Sequence, residues 1–163
     1  MSNFIQRAIT GILFVIVIGA AFVISPVTYA MVMVCVITLA TNEFCRMVRC
    51  SDTAIRPHFF IALATNVVAF TLGFLVFFQG FDARCLLLLV GMAWVVFLAE
   101  LFTDHQNPIY NIGVTLLCNI YIGMPFALLN LLAFKGGCYD FRPIMAMFLL
   151  SWVNDTGAYL CGI

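Results

Sequence analysis

Long apolar runs separated by short polar segments dominate the chain. An α-helix needs about 20 mostly apolar residues, with a range near 17–25, to cross a bilayer. The runs do not alternate apolar and polar residues, as the strands of a membrane β-barrel do, so we expect no strands. The pattern therefore predicts an all-α, polytopic membrane helix bundle with about six transmembrane helices. These predicted spans cover residues 8–24, 27–44, 59–78, 85–101, 109–134 and 143 to the end.

Composition supports this interpretation. The chain has 163 residues, of which 65% are hydrophobic and 9% charged, whereas soluble domains carry about 25% charged residues. The lipid bilayer is therefore an expected partner. The net charge is zero and there is no basic block, so nucleic acid is not an expected partner. Seven cysteines without a C-x-x-C pair indicate neither a zinc site nor a disulfide framework.

The positive charges predict an orientation. Arg46, Arg49 and Arg56 cluster around the loop after the second run, and lysine and arginine favour cytoplasmic loops. We therefore expect this loop and the N-terminus to be cytoplasmic. The first apolar run is longer than the core of a signal peptide, and no clean cleavage site follows it, which favours a retained first helix.

One carboxylate lies within the last apolar run. Placing an aspartate at the centre of a membrane helix costs about 2.5–3.5 kcal/mol, and such residues are usually functional. In a helix, Ser151, Asp155 and Tyr159 share one face. Asp155 is thus a candidate functional residue. The alternative is a hydrogen-bonded structural carboxylate at a helix interface.

A second polar stripe runs along the fifth span. At 100° per residue, its polar side chains fall within an arc of about 100°. Hydrogen bonding between helices is the favoured interpretation, and lining of a wet cavity is the alternative. Pro125 is expected to kink this span, because proline lacks the N–H that a helix interior needs. The residues of the stripe are Asn111, Thr115, Asn119 and Asn130.

Several acids share one membrane face in the predicted topology, namely Glu43, Glu100, Asp104 and Asp155. Mg²⁺ takes oxygen ligands, usually one or two carboxylates together with substrate phosphates. The arrangement suits a magnesium site. It is equally what acids flanking membrane spans look like.

The predicted cytoplasmic face carries further polar residues. Glu43 and Arg46 are i, i+3 partners on one helix. Arg46 and Arg49 would lie at headgroup level, where they could hold an anionic lipid phosphate or act as ordinary positive anchors. His58 and His105 stand alone in loops, and we expect them to be solvated loop histidines.

Three passages make the chain similar to a known family. They are NFIQRAITGILFV at 3–15, NEFCRM at 42–47 and WVNDTGAYLCG at 152–162. The last is the most specific, because it resembles a W-x-x-D-[ST]-x-A-Y-x-x-G segment. In order and spacing the passages resemble the phosphatidate cytidylyltransferase family, also called CDP-diacylglycerol synthases.

The resemblance implies a reaction and its participants. Family members join CTP to phosphatidic acid with Mg²⁺, releasing diphosphate and CDP-diacylglycerol for phospholipid synthesis. By resemblance, Asp155 is the expected catalytic and metal-binding carboxylate. Asn154, Tyr159, Arg46 and Arg49 are the expected substrate-binding residues. A homodimer in the inner membrane of a bacterium is the expected setting.

The family continues beyond the segment seen here, into a signature with paired basic residues and a Gly-rich H-G-G turn. We therefore expect residues 1–163 to be a single membrane domain truncated before that signature, with most metal ligands elsewhere. Two alternatives stay open. One is a non-catalytic truncated helix bundle or small transporter-like protein, and the other is a CTP-dependent transferase for another lipid or polyprenyl phosphate.

Overall fold

The computed structural model describes residues 3–52 and 54–161, apart from the side chains of 3–10, 12–14, 159 and 160. Helices account for most of this part of the chain, which confirms the predicted all-α bundle. The helices are α1 (Asn3–Ile24), α2 (Pro26–Ser51), α3 (Phe59–Gln79), α4 (Leu88–Leu101, after a 3₁₀ turn Ala83–Leu87), α5 (Pro108–Cys118), α6 (Met124–Ala133, after a π turn Asn119–Gly123) and α7 (Arg142–Cys161). A short hairpin of β1 (Phe134–Lys135) and β2 (Cys138–Tyr139) precedes α7.

Four helical stretches in the described part are long and apolar enough to cross a membrane. The first helix adds a shorter apolar stretch, Val15–Ile24, and the 20-residue α7 is not among the four. The chain is therefore a membrane protein. The four stretches are Pro26–Ser51, Phe59–Gln79, Ala83–Leu101 and Pro108–Ala133.

The connections between helices gather at two ends of the bundle. We call the end that contains residues 52–58 and 102–107 the loop face, because side chains of these two loops contact the end of α4 there. The opposite end carries the β1–β2 hairpin, whose Tyr139 hydroxyl donates to the Phe22 carbonyl at 2.8 Å. This alternation agrees with helices that cross the bilayer in turn. That the loop face is cytoplasmic stays a prediction.

The break between α1 and α2 follows from local chemistry. The Ser25 hydroxyl accepts a hydrogen bond from the Val27 N–H at 3.1 Å, and Pro26 occupies the first helical position. A serine cap and a proline at the first position are strong signals for a helix start. The predicted break between the first two spans, 8–24 and 27–44, is confirmed.

The helices α3 and α6 approach each other closely. A side chain on Gly73 would place its Cβ 3.0 Å from the Ala127 carbonyl oxygen and 3.1 Å from the Asn130 Nδ2. Asn130 is fully buried and donates to the carbonyls of Phe70, at 3.2 Å, and Ala127, at 3.1 Å. Small residues that let two backbones approach are typical of helix contacts in membranes.

The predicted kink at Pro125 takes the form of a π turn. The Met124 N–H donates to the Asn119 carbonyl, five residues back. Proline cannot donate, and its ring crowds the carbonyl four residues earlier; the wider turn accommodates it. Gly123 lies where the turn meets α3, and a Cβ there would stand 3.2 Å from the Asn66 Cγ.

The hairpin before α7 corrects the expectation that the chain has no strands. Phe134 pairs with Tyr139, and Lys135 with Cys138. Gly136 and Gly137 have φ values of 62° and 80°. A two-residue turn with two positive φ angles matches the twist of paired strands and requires glycine-like residues. The Gly-Gly pair therefore permits this local pairing at the bundle end.

Candidate functional site at the loop face

A buried carboxylate at the end of α4 organises the loop face. The Glu100 side chain is 1% exposed. One of its oxygens contacts His58 Nε2 from the loop 52–58. The other lies 3.2 Å from Nδ1 of His105, in the loop 102–107. The centroids of the two imidazole rings are 5.7 Å apart. Two loops thus converge on one carboxylate.

Residues of α5 hold this arrangement in place. Asn111 Nδ2 donates to Glu100 Oε1 at 2.8 Å, and its Oδ1 accepts the backbone N–H of Arg56 at 2.6 Å. The Thr115 hydroxyl accepts the backbone N–H of His58 at 3.1 Å. Because a buried polar group is costly without a partner, these bonds fix the loop 52–58 against α5.

A cavity of about 460 Å³ opens beside the two histidines. In the described part of the chain, neither arginine that lines it has a carboxylate within ion-pair distance. Arg49 Nη2 donates only weakly, to the Pro57 carbonyl at 3.5 Å. The cavity wall is therefore cationic. Its lining residues are Arg49, Ile55, Arg56, Pro57, His58 and His105.

The expectation of two solvated, separate histidines is wrong. The side chains of His58 and His105 are only 14% and 20% exposed, and both face Glu100. The predicted alternation of helices already placed their two loops on one face. His105 lies only five residues from Glu100, but 42 positions separate His58 from Glu100, so no local spacing indicates that contact. Only the predicted topology indicated that the two histidine loops share a face.

The structure does not bring the predicted magnesium-site acids together. Glu43, Asp104 and Asp155 are exposed, whereas Glu100 is buried between histidines. Within the described residues, the one group of three or more metal-ligating side chains is His58, Glu100 and His105. Because Mg²⁺ prefers oxygen ligands, this group of two imidazoles and one carboxylate does not fit it. Magnesium binding by Asp155 stays a prediction.

The other predicted site residues lie on two helices. Asn154 and Asp155 are exposed on α7, and the Tyr159 side chain is outside the described part. Arg46 and Arg49 are exposed near the end of α2, and Arg49 alone of these lines the cavity. Their roles stay predictions.

The spacing of Glu43 and Arg46 does not produce an ion pair. Both side chains are exposed near the end of α2, where solvent competes with such a pair. The ion pairs among the residues that the structure describes are His58–Glu100, His105–Glu100 and Arg84–Asp82. Arg46 is therefore not neutralised by its neighbour one turn away.

The polar stripe of the fifth span serves hydrogen bonding between segments. Asn111, Thr115 and Asn130 are fully buried and bonded, which confirms the favoured interpretation for them. Asn119 differs, because its Oδ1 has no hydrogen-bond partner among the described residues, as is also the case for the Oδ1 of Asn66. Both residues line a largely apolar cavity of about 430 Å³ between α3, α4 and α5–α6.

The cationic cavity has the chemistry of a phosphate site. Guanidinium groups bind phosphate oxygens through charge-assisted, often bidentate hydrogen bonds. Arg49 lies near the end of a membrane span, and Arg56 lies in the adjoining loop. A ligand held there would therefore contact both the edge of the bilayer and the water outside it.

Comparison with known proteins gives one match. The model of the cytidylyltransferase family matches residues 5–163, nearly the whole chain. No curated protein and no solved structure matches. Members of this family are CTP-using nucleotidyltransferases, which agrees with a cationic cavity at the end of a membrane bundle. The chain belongs to the cytidylyltransferase family.

Proposed function

We propose that this protein transfers the cytidylyl group of CTP to phosphatidate, forming CDP-diacylglycerol and diphosphate, in the inner membrane of a bacterium. The observation that carries the proposal is the cavity at the loop face, where Arg49 and Arg56 stand without carboxylate partners in the described part of the chain. The family match supplies the nucleotide, CTP. The loop face would be cytoplasmic, where CTP is available.

The reaction needs little covalent help from the protein. A phosphate oxygen of phosphatidate attacks the α-phosphorus of CTP and forms a new P–O bond. The bond between the α-phosphorus and the oxygen bridging to the β-phosphorus breaks, and its electron pair leaves with diphosphate. The nucleophile is already an anion, so the principal obstacle is repulsion between two phosphate groups. Positioning and neutralisation of charge supply most of the catalysis in such transfers.

Arg49 and Arg56 are suited to that task. Both line one cavity, so their charges act on the same bound phosphates. Arg49 lies near the end of α2, at the depth where a lipid headgroup would lie. We assign Arg49 to the lipid phosphate and Arg56 to the nucleotide phosphates. Arg46, exposed one turn earlier, would attract anionic lipid to the same edge.

We propose the roles of the remaining expected residues from the family resemblance. Asp155 would be the catalytic carboxylate, with Asn154 and Tyr159 beside it on α7. Asp155 is exposed on that helix, where a substrate or an ion could reach it. Further ligands for Mg²⁺ would have to come from residues outside this set. A homodimer belongs to the same proposal.

The test is to express the protein from its own gene and assay isolated membranes. CTP labelled at the α-phosphate is supplied with phosphatidate, and labelled lipid is identified by chromatography and mass. We expect labelled CDP-diacylglycerol and release of unlabelled diphosphate. Competing lipid phosphates, including a polyprenyl phosphate, separate phosphatidate from other acceptors. Failure to label any lipid would overturn the proposal and favour a non-catalytic bundle.

A further inference from the structure

The two histidines of the chain meet at one buried carboxylate. One ligand atom from each of His58, Glu100 and His105 lies within 4.8 Å of the others. Glu100 at the end of α4 and His105 in the following loop are five residues apart, whereas His58 comes from a loop 42 positions before Glu100. The geometry brings two imidazole nitrogens and a carboxylate oxygen around one point.

This donor set matches a particular class of metal ion. Two imidazoles and one carboxylate bind Zn²⁺ in catalytic sites that keep a fourth position open, and imidazole also suits Fe, Cu and Ni. Mg²⁺ prefers oxygen ligands, so this site is distinct from the magnesium site that the resemblance implies. We propose that His58, Glu100 and His105 bind a divalent cation of the zinc class, with its open position towards the cationic cavity.

The surrounding hydrogen bonds support the ligand geometry. Asn111 Nδ2 donates to Glu100 Oε1 at 2.8 Å and holds the carboxylate plane. The Thr115 hydroxyl accepts the backbone N–H of His58 at 3.1 Å and holds the loop from which that imidazole projects. Partners of this kind orient metal ligands, and their removal typically weakens metal affinity by about 10–100-fold.

The histidines form the accessible part of the site. Glu100 is 1% exposed, whereas the imidazoles of His58 and His105 are 14% and 20% exposed. Both histidines line the 460 Å³ cavity, so an ion would enter from there and would keep its open position facing it. Beside Arg49 and Arg56, that position would accept water or an anionic oxygen.

A bound cation would link the two loops of the loop face. His58 belongs to the loop 52–58 and His105 to the loop 102–107. A ligand that binds only the folded protein stabilises it, so metal binding should raise the unfolding temperature. The inference rests on the ligand geometry alone and does not depend on the proposed function.

The experiment measures metal directly. The full chain is purified in detergent without a polyhistidine tag, equilibrated with a limiting concentration of free Zn²⁺, and analysed for zinc per chain. The variants are Glu100→Gln and His105→Asn. The matched control is Gln106→Ala, because Gln106 is the exposed neighbour of His105. Helical content and elution volume establish that each variant is folded.

We expect about one zinc per chain in the wild type and in Gln106→Ala, with at least about a tenfold loss in the ligand variants. If burial makes Glu100→Gln unstable, the loop variant His105→Asn carries the test. Loading with Co²⁺ gives a second readout, since visible absorption bands should appear in the wild type and vanish in His105→Asn. Equal metal content in wild type and His105→Asn, or no bound zinc in the wild type, would overturn the proposal. Neither result bears on the transferase assay, which is run separately.

Discussion

Adding one methyl group at Gly73 tests the contact between α3 and α6. In Gly73→Ala, the new Cβ would lie 3.0 Å from the Ala127 carbonyl oxygen and 3.1 Å from Asn130 Nδ2. Both distances are shorter than ordinary contact, and one neighbour is backbone. The helices must therefore separate or Asn130 must rotate away from its two carbonyl partners.

Three contributions determine the expected change in the free energy of unfolding of Gly73→Ala. Overpacking costs about 1–3 kcal/mol, and each weakened hydrogen bond about 0.5–1.5 kcal/mol. Replacing glycine by alanine within a helix returns about 0.5–1 kcal/mol. We expect a net destabilisation of about 2 kcal/mol. At about 2–4 °C per kcal/mol for a chain of this length, the unfolding temperature should fall by several degrees.

The assay follows the two buried thiols, Cys45 and Cys118. Exposed cysteines are first alkylated in the folded protein, and a fluorogenic maleimide then reports unfolding during heating. Gly91→Ala is the matched control, because a Cβ at Gly91 meets nothing within 4 Å. It should be neutral or slightly stabilising. If Gly73→Ala were as stable as this control, the close contact of α3 with α6 would be wrong.

Three further variants test other parts of the structure. Asn111→Ala leaves a buried oxygen of Glu100 without its 2.8 Å partner and should lower stability by about 1–3 kcal/mol in the same assay; an unchanged unfolding temperature would contradict the buried network. Asp155→Asn removes the charge of an exposed side chain on α7 and should abolish CDP-diacylglycerol formation in a protein that still folds; wild-type turnover would remove Asp155 from the mechanism. Burial, and secondly the charge of Asp140, raises the pKa of Tyr139 to about 12 from 10.0. The protonated Tyr139 hydroxyl therefore stabilises the folded protein below pH 10, and this stabilisation is lost as the pH rises to 12. The free energy of unfolding of Tyr139→Phe should fall less than that of the wild type across this interval. Parallel pH profiles of the two proteins would refute this.

The sequence predicts the membrane bundle because its signal is coarse and local. A run of about 20 apolar residues is enough to predict a spanning helix, and Ser25-Pro26 marks a helix boundary through capping and the fixed backbone of proline. The buried asparagines of the fifth span were predictable for the same reason, since helical spacing places them on one face. In each case the decisive pattern lies within a short stretch of sequence.

The loop-face cluster depends on one contact between distant segments. His58 and Glu100 are 42 positions apart, and no helical or strand period relates them. Asp155 shows the opposite case, because its sequence context is specific but the described structure leaves its side chain exposed. A motif can therefore indicate a functional residue without locating its ligands. A buried cluster, in contrast, can form from residues that belong to no recognisable motif.

The proposed cytidylyl transfer is tested most sharply by comparing CDP-diacylglycerol formation by the wild type, Arg56→Gln and Arg84→Gln. Arg84 is the control because its side chain is 88% exposed and pairs with Asp82, away from the cavity. A charge-assisted hydrogen bond contributes about 1.5–3 kcal/mol, so Arg56→Gln should slow the reaction by about tenfold or more. Arg84→Gln should match the wild type. Equal rates for Arg56→Gln and Arg84→Gln, or a wild type that forms no CDP-diacylglycerol, would contradict the account.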